Sequence, residues 1–142
     1  MVEMAETLNP VSPPIAPAGN WIPAVLLAWI VPGGGHFLLK RNGRGAILFA
    51  SVAAMFLLGL MMRGAMFQPL TGDFLTTIIY VGGFVSDLAA GIFYFVAMLL
   101  GYNQPDVAGH VHDYGTKFLV AAGLLNVLGM VDAFDIATGK KN

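Results

Sequence analysis

The most constraining feature of this sequence is a series of four long apolar segments that almost lack charged residues. They run over residues 21–39, 45–62, 75–101 and 118–134. A bilayer core about 30 Å thick is crossed by roughly 20 helical residues, with about 17 as a practical minimum, so each segment is long enough to be embedded in a membrane. The segments therefore predict an all-α integral membrane protein with four transmembrane helices.

The composition supports the membrane assignment and excludes several other classes of protein. Hydrophobic residues make up 57% of the 142 residues, charged residues make up 11%, and the mean hydropathy is +0.75. Soluble domains carry about 25% charged residues. The net charge of −1, without a basic stripe, argues against nucleic acid as a partner. Because the chain has no cysteine, disulfides, thiol catalysis and cysteine-ligated metal centres are excluded.

The first 20 residues differ from the rest of the chain. They are rich in proline and contain Glu3 and Glu6 but no Lys or Arg. A secretory signal needs a positive N-terminal region, and a Pro-rich segment favours extended structure. Residues 1–20 are therefore predicted to form an extended leader, and residues 21–142 a single four-helix transmembrane domain. We find no internal sequence repeat.

The first apolar segment contains a break, in the stretch "AWIVPGGGHFLLKRNGRG" at residues 28–45. Proline removes a backbone donor and bends a helix, and consecutive glycines let another backbone approach closely. In a membrane, such a break persists only where protein, water or headgroups satisfy the freed backbone groups. We predict that helix 1 breaks at Pro32–Gly35 near its end, chiefly for helix packing. The cations that follow, Lys40, Arg41 and Arg44, are predicted to contact anionic lipid headgroups.

The distribution of Lys and Arg gives a weak indication of orientation, because these residues are enriched in cytoplasmic loops. In a four-span arrangement, four cations flank one side of the membrane and three flank the other. The first group is Lys40, Arg41, Arg44 and Lys117, and the second is Arg63, Lys140 and Lys141. Since the basic turn is short and compact, we predict that residues 40–44 are cytoplasmic and that both termini lie outside.

Two stretches carry a resemblance to known families. "AWIVPGGGHFLLKRNGRGAILF" is similar to the opening of the two-transmembrane-helix domain family, although Phe37, Leu38 and Leu39 replace that family's Arg-Phe-Tyr run after the histidine. The end of the chain, "AAGLLNVLGMVDAFDIATGKK", resembles an uncharacterised bacterial family of small multi-span membrane proteins with a Pro-Gly-x-Gly-His first helix. The resemblance implies a multi-span protein of the bacterial inner (cytoplasmic) membrane. It implies no activity.

Asp87 is an ionisable residue in the middle of the third apolar segment. Such groups are costly in a membrane and usually face protein or water. On a helix, Gly83, Asp87 and Gly91 share one face, and small residues at this spacing favour close helix packing. We predict that Asp87 hydrogen-bonds a neighbouring helix, with Asn126 as the candidate partner. The alternative is a proton or ion relay through Asp87.

Two further patterns concern helix surfaces. The second apolar segment has its own ridge of small residues, at Ala46, Ala50 and Ala54. Near the end of the fourth segment, Asp132 and Asp135 are predicted to face the membrane interface and to pair with the C-terminal lysines. Exposed pairs of this kind contribute about 1 kcal/mol or less.

The three histidines are the remaining candidate ligands. His110 and His112 precede Asp113 in a predicted loop, and this H-x-H-D pattern could bind a divalent metal. His36, at the end of helix 1, could instead ligate a haem iron or a chlorophyll magnesium. Solvated or hydrogen-bonded histidines without a ligand are the alternative interpretation of all three.

The sequence contains no credible catalytic set. Ser51 and Ser86 lie inside apolar segments with no histidine near them in sequence, and no paired carboxylates suit hydrolysis. No phosphate-binding glycine loop of a nucleotide site is present. The chain is therefore predicted not to be an enzyme.

The function that remains is a non-catalytic accessory subunit of a larger bacterial membrane complex. A photosynthetic or electron-transfer complex is a plausible host, with peripheral chlorophyll, carotenoid or lipid contacts and with membrane lipids and other subunits as partners. One alternative is a small transport or ion-binding protein that uses Asp87. Another is a metal- or lipid-sensing module that uses His36, His110 and His112.

Overall fold

The computed structural model describes residues 21–105 and 109–140. The regular structure of these residues is entirely helical, which confirms the all-α prediction. The helices are α1 (Trp21–Ile30), α2 (Gly34–Leu38), α3 (Asn42–Met61), α4 (Phe74–Ala89), α5 (Ile92–Leu99) and α6 (His110–Ala137). The predicted Pro-rich leader, residues 1–20, lies outside the described residues.

Two helices, α3 and α6, are long and apolar enough to cross a membrane. The pair α4 and α5 also meets this test if it is counted as one span, but its two helices are bent by 99° relative to each other. Helix α1 has 10 residues, so at about 1.5 Å per residue it reaches through roughly half of a bilayer core. The described residues thus contain two or three candidate membrane spans, which supports a helical membrane protein, and the fourth span stays a prediction.

The two long helices run antiparallel and pack against each other along their length. At one end, Arg44 lies beside Asp132. At the other end, Gly64, just after α3, lies against Gly115 so closely that a Cβ atom on Gly64 would fall 2.3 Å from the Gly115 carbonyl carbon. We call the first end the basic end, because it holds residues 40–44, and the second the histidine end, because α6 begins there at His110.

Helix α6 contacts the other long elements through one face of mostly small residues. The buried members of this face include Gly115, Leu119, Ala122, Asn126, Gly129 and Ala133. Their spacings of three and four residues keep them on one side of the helix, and their small side chains let neighbouring backbones approach. Helix α6 is therefore the central element of the fold.

The start of α6 differs from the sequence expectation. The apolar segment begins at residue 118, but the helix begins at His110, so His110, His112 and Asp113 lie in its first turn and not in a loop. The reason is packing: Gly115 continues the spacing of the small-residue face and contacts Gly64. Tertiary contact therefore extends the helix beyond its apolar part.

The first chain reversal joins α1 to α2. Helix α1 runs antiparallel to α6, since the Trp21 ring lies 5.1 Å from the Phe134 ring and Trp29 lies beside Asn126. The chain then turns, and α2 returns to the basic end, where His36 contacts Asp132. Together, α1 and α2 form a hairpin that begins and ends at the basic end. We call it the first hairpin.

The break predicted at Pro32–Gly35 is present as the turn between Ile30 and Gly34. Gly33 has a φ of 80°, a left-handed conformation that favours glycine. A Cβ atom at Gly33 would lie 2.2 Å from the Gly45 carbonyl oxygen. The glycine is thus required both by the backbone conformation and by the close approach of α3.

The second chain reversal joins α4 to α5. Helix α4 runs parallel to α6, with the Ser86 carbonyl against Gly123 and the Ala89 carbonyl at Asn126. Helix α5 then leads back to the histidine end, where the Tyr102 hydroxyl donates to the Gly64 carbonyl at 2.7 Å. These helices form the second hairpin.

A continuous helix over residues 75–101 was expected from the sequence, and this expectation is wrong. The helix ends at Ala89 because the chain bends at Gly91, whose φ is 67°. A Cβ atom at Gly91 would lie 1.9 Å from the Trp29 carbonyl oxygen. The bend is thus set by contact with the tip of the first hairpin.

The two halves of the chain share an order of elements but run in opposite directions. In each half, a hairpin reaches the level of Asn126 and a long helix follows.

The contacts also correct the expected placement of the chain ends, because Trp21, the basic turn at residues 40–44 and the end of α6 all lie at the basic end. The termini of the described domain and the basic turn were expected on opposite sides.

Candidate functional site

The tips of the two hairpins meet at Asn126, a residue near the middle of α6 that is 1% exposed. Its side-chain amide donates to the Trp29 carbonyl at 3.2 Å and to the Ala89 carbonyl at 2.8 Å. Carbonyls at helix ends have no partner within the helix, and burying them unpaired is costly. One side chain therefore satisfies the C-terminal ends of both α1 and α4.

The two tips are also joined directly. The Trp29 indole Nε1 donates to the Leu88 carbonyl at 3.1 Å. Gly91 lies against the Trp29 backbone, so the two tips are in direct contact at both residues. We call Asn126, Trp29, Leu88, Ala89 and Gly91 the junction.

Asp87, two residues before the end of α4, is fully buried. Its Oδ2 accepts the backbone N–H of Phe67 at 2.7 Å, and no hydrogen-bond partner lies near its Oδ1 among the described residues. The expected hydrogen bond between Asp87 and Asn126 is not formed, because the Asn126 amide is used by the two hairpin tips. Asp87 instead anchors the segment that follows α3.

The segment between α3 and α4 has no helix of its own, and side chains satisfy part of its backbone. The Ala65 N–H donates to the Thr116 hydroxyl at 2.9 Å, in addition to the Phe67 N–H that Asp87 accepts. The Phe67 ring covers Gly83, where a Cβ atom would lie 2.3 Å from that ring. Gly83 therefore provides room for this segment, whereas Gly91 provides the bend.

A cavity of about 530 Å³ lies at the histidine end, next to the Asp87 region. Phe67, which hydrogen-bonds Asp87, contributes to its wall together with Tyr94 and Tyr102. Met98, Asn103 and Gln104 also line it. The wall thus combines aromatic rings with a few polar groups, as in sites that bind small molecules.

A second polar cluster lies at the basic end. The His36 Nε2 lies 2.8 Å from the Asp132 carboxylate, and the Arg44 Nη1 lies 3.6 Å from the same oxygen. His36 is fully buried, whereas the Asp132 and Arg44 side chains are 22% and 45% exposed. The pair between Asp132 and the C-terminal lysines stays a prediction, whereas the contact between Asp132 and His36 was not predicted from the sequence.

The surroundings of His36 bear on the expected macrocycle ligand. Its Nε2 is held by Asp132, and its Nδ1 is buried with no hydrogen-bond partner among the described residues. A carboxylate on one nitrogen is the usual support for a histidine that ligates a metal through the other. However, the imidazole has no exposed surface, so a haem or chlorophyll ring could not reach Nδ1 without movement of the first hairpin.

His110, His112 and Asp113 are close in sequence on one helical turn. The His112 Nδ1 lies 3.2 Å from the Arg63 carbonyl. Within the described part of the chain, no three His, Asp or Glu side chains form a group that could hold a metal ion. The metal site at these residues stays a prediction that these contacts do not support.

The predicted lipid-contacting cations lie together at the basic end. Lys40, Arg41 and Arg44 are all exposed at the start of α3. Next to them, an open groove of about 360 Å³ runs between the two long helices. Arg44, Ile47, Leu48, Leu128, Gly129 and Asp132 line this groove. A charged end and an apolar wall therefore lie side by side.

Residues 23–142 match a family of unknown function, DUF6677. The chain belongs to this family. The match confirms the expectation of an uncharacterised family, while a bacterial origin and the detailed first-helix motif stay predictions. No curated protein matches the chain, and no solved structure matches it.

Proposed function

We propose that this DUF6677 member is a non-catalytic accessory subunit of a larger membrane complex. The observation that carries the proposal is a stripe of small residues on α3, formed by Gly43, Ala46, Ala50 and Ala54, which is exposed along its whole length. In membranes, helix interfaces are enriched in small residues because they let backbones approach closely. The comparable face of α6 is covered by the chain's own helices, whereas this stripe has room for a helix of another subunit.

All four apolar segments enter the membrane in this proposal. The long helices α3 and α6 cross it, and the two hairpins enter from opposite faces to meet near its middle. Among the described residues, Lys40, Arg41, Arg44 and Lys140 lie at the basic end, and Arg63 and Lys117 lie toward the histidine end. This bias supports a cytoplasmic position for the basic end. The location is the bacterial inner membrane.

The aromatic residues at the surface of this small apolar chain indicate the kind of complex it would join. Trp29 and Phe95 pack edge to face, and Phe95 is 48% exposed at the outer surface. Such rings are suited to contact lipid tails, carotenoid or chlorin. We therefore propose a photosynthetic or electron-transfer complex as the host.

Co-purification tests the proposal. Mild detergent extraction of the full chain from its native membrane should recover it with a larger complex. Ala50→Phe, which adds bulk to the exposed stripe, should reduce the recovered partner, whereas Val85→Phe on the exposed face of α4 should not. Deleting residues 1–20 should loosen the association. Recovery of the wild-type chain as a lone monomer would contradict the proposal.

A second candidate function, ion binding or transport, is favoured by the arrangement of the two hairpins. Broken helices that meet near the membrane middle, in two halves of opposite direction, are a feature of transporter binding sites. Asp87 lies close to the second break and has one carboxylate oxygen without a partner among the described residues.

Liposome assays separate the two candidates. If Asp87 carries ions or protons, the purified chain should conduct them, and Asp87→Asn should abolish the flux while the fold is retained. If Asp87 only anchors the segment after α3, Asp87→Asn should keep the Phe67 hydrogen bond and the fold, and Asp87→Leu should weaken the fold. No flux with the wild-type chain would eliminate the transport function.

A further inference from the structure

The start of α3 combines three features that suit a phosphate group. Helix α3 is 20 residues long, and its first backbone bond runs from the Gly45 N–H to the Arg41 carbonyl at 3.0 Å. The amides of residues 42–44 therefore precede the helical ladder, and no side chain of the described residues caps them. Backbone N–H groups at a helix N-terminus favour anions, because they carry the positive end of the helix dipole.

The side chains around this helix start leave the amides accessible and add positive charge. Gly43 has open space where a side chain would project, with no atom within 4 Å of a built Cβ. Lys40, Arg41 and Arg44 are exposed beside it. One carboxylate, Asp132, lies next to Arg44 and contacts His36, so it offsets at most one of the three positive charges.

The groove beside Arg44 supplies a second, independent observation. It has a volume of about 360 Å³ and leads from Arg44 and Asp132 between Ile47 and Leu128. Gly129 forms part of its wall, where a Cβ atom would lie 3.3 Å from the Leu48 side chain. Ile47 and Leu128 are 68% and 65% exposed, so the groove opens to the outside along the apolar part of both helices.

We propose that this groove binds one anionic phospholipid, with its phosphate at the start of α3 beside Arg44 and one acyl chain between α3 and α6. Charge complementarity selects an anionic headgroup, because Lys40 and Arg41 add two exposed positive charges beside the Arg44–Asp132 pair at the mouth of the groove. The groove continues along apolar side chains beyond Arg44. These can contact an acyl chain, which a lipid has and free phosphate lacks. His36 positions Asp132, and Asp132 in turn holds Arg44 at the mouth of the groove.

The test uses the full chain in nanodiscs of phosphatidylcholine, with or without phosphatidylglycerol. Native mass spectrometry after mild release measures the retained phospholipid, and thermal unfolding in both discs measures stabilisation by the anionic lipid. The wild-type chain should retain phosphatidylglycerol in preference to phosphatidylcholine. Each variant is compared with itself in the two discs, so a general loss of stability does not imitate a loss of lipid binding.

Two pairs of variants locate the site. Arg44→Gln should lower phosphatidylglycerol retention by about fivefold, the effect expected for one cation near an anionic surface, whereas Lys117→Gln toward the histidine end should not. Ile47→Trp should block the groove and lower retention, whereas Leu57→Trp, farther along α3 and outside the groove, should not. Equal retention of the two lipids by the wild-type chain, or unchanged retention in Arg44→Gln or Ile47→Trp, would overturn the proposal.

Discussion

The two chain reversals reach the same side chain, Asn126, by different means. The first reversal contains Pro32 and consecutive glycines, so the chain is locally unable to continue as a helix. The second contains no proline, and its bend depends on Gly91 and on the Trp29 carbonyl that lies against it. A break can thus be encoded locally or imposed by a partner element, and the second kind should depend more on tertiary contact.

The largest expected effect comes from adding one methyl group at the second reversal. Gly91→Ala combines a backbone conformation that L residues rarely adopt (φ 67°, ψ −129°) with a Cβ atom 1.9 Å from the Trp29 carbonyl oxygen. We expect a loss of about 4 kcal/mol in the free energy of unfolding, from strain and displacement of the junction. Denaturant titration in detergent measures it.

Gly101→Ala is the matched control for that substitution. Gly101 also has a left-handed φ, of 76°, but no atom lies within 4 Å of a built Cβ. It should cost only the backbone strain of about 1–2 kcal/mol. An equal loss for Gly91→Ala and Gly101→Ala would show that the contact between the two hairpin tips contributes nothing.

Removing the shared amide should affect both reversals at once. Asn126→Leu leaves the Trp29 and Ala89 carbonyls without their donor, and an unsatisfied buried group costs about 1–3 kcal/mol. We expect a total loss of about 3 kcal/mol, measured by the same titration. Hydrogen exchange should increase in α1 and in α4 together. Asn103→Leu at the exposed cavity rim is the control, and increased exchange in only one hairpin would show that the reversals are independent.

A smaller loss of stability is expected at the first reversal, where the proline and the glycines already interrupt the helix locally. Pro32→Ala restores a backbone N–H, but Gly33 keeps its left-handed conformation and its contact with Gly45. We expect a loss of about 1 kcal/mol from the greater freedom of the unfolded chain and the lost ring contacts. A loss as large as that of Gly91→Ala would reverse the comparison and make the proline the main determinant of the first reversal.

The smallest effect concerns the start of the second hairpin. The Thr76 hydroxyl donates a hydrogen bond to the Asp73 carboxylate and holds the pKa of that exposed carboxyl below its usual value of 3.8. The stabilisation is therefore present above pH 3.8 and is lost as the pH falls through the lower pKa of the folded state.

Unfolding followed from neutral to acidic pH checks the sign of this effect. The wild-type chain should lose slightly more stability than Asp73→Asn as the pH falls below 3.8. Identical curves for the two proteins would show that the Thr76 hydrogen bond has no measurable effect on α4.

The sequence predicted the helical class and the first break because both have local causes. Four apolar segments of sufficient length indicate membrane helices, and proline with glycines interrupts a helix wherever it is placed. The second break could not be predicted, because Gly91 interrupts an otherwise continuous apolar segment and its bend depends on Trp29. The two tips are joined by residues 59 positions apart in the chain.

Two buried polar residues near the hairpin tips were identified from the sequence, but their partners were not. Asp87 and Asn126 were identified because polar groups in apolar segments need partners, and both are buried. Their actual partners are backbone groups. Every residue has such groups, so the residue types in the sequence do not show which of them will be bonded. His36 and Asp132 lie 96 positions apart, and no spacing rule connects residues on different helices at that distance.

The Asn126 contact also imposes an order on biosynthesis. Trp29 and Asn126 are 97 positions apart, so the first hairpin leaves the ribosome long before its donor exists. At about 5–20 residues per second, that interval lasts roughly 5–20 s. During this time the Trp29 carbonyl needs another hydrogen-bond donor, such as water, a lipid headgroup or a group of the insertion machinery. The first hairpin therefore gains its Asn126 hydrogen bond only after α6 has been synthesised.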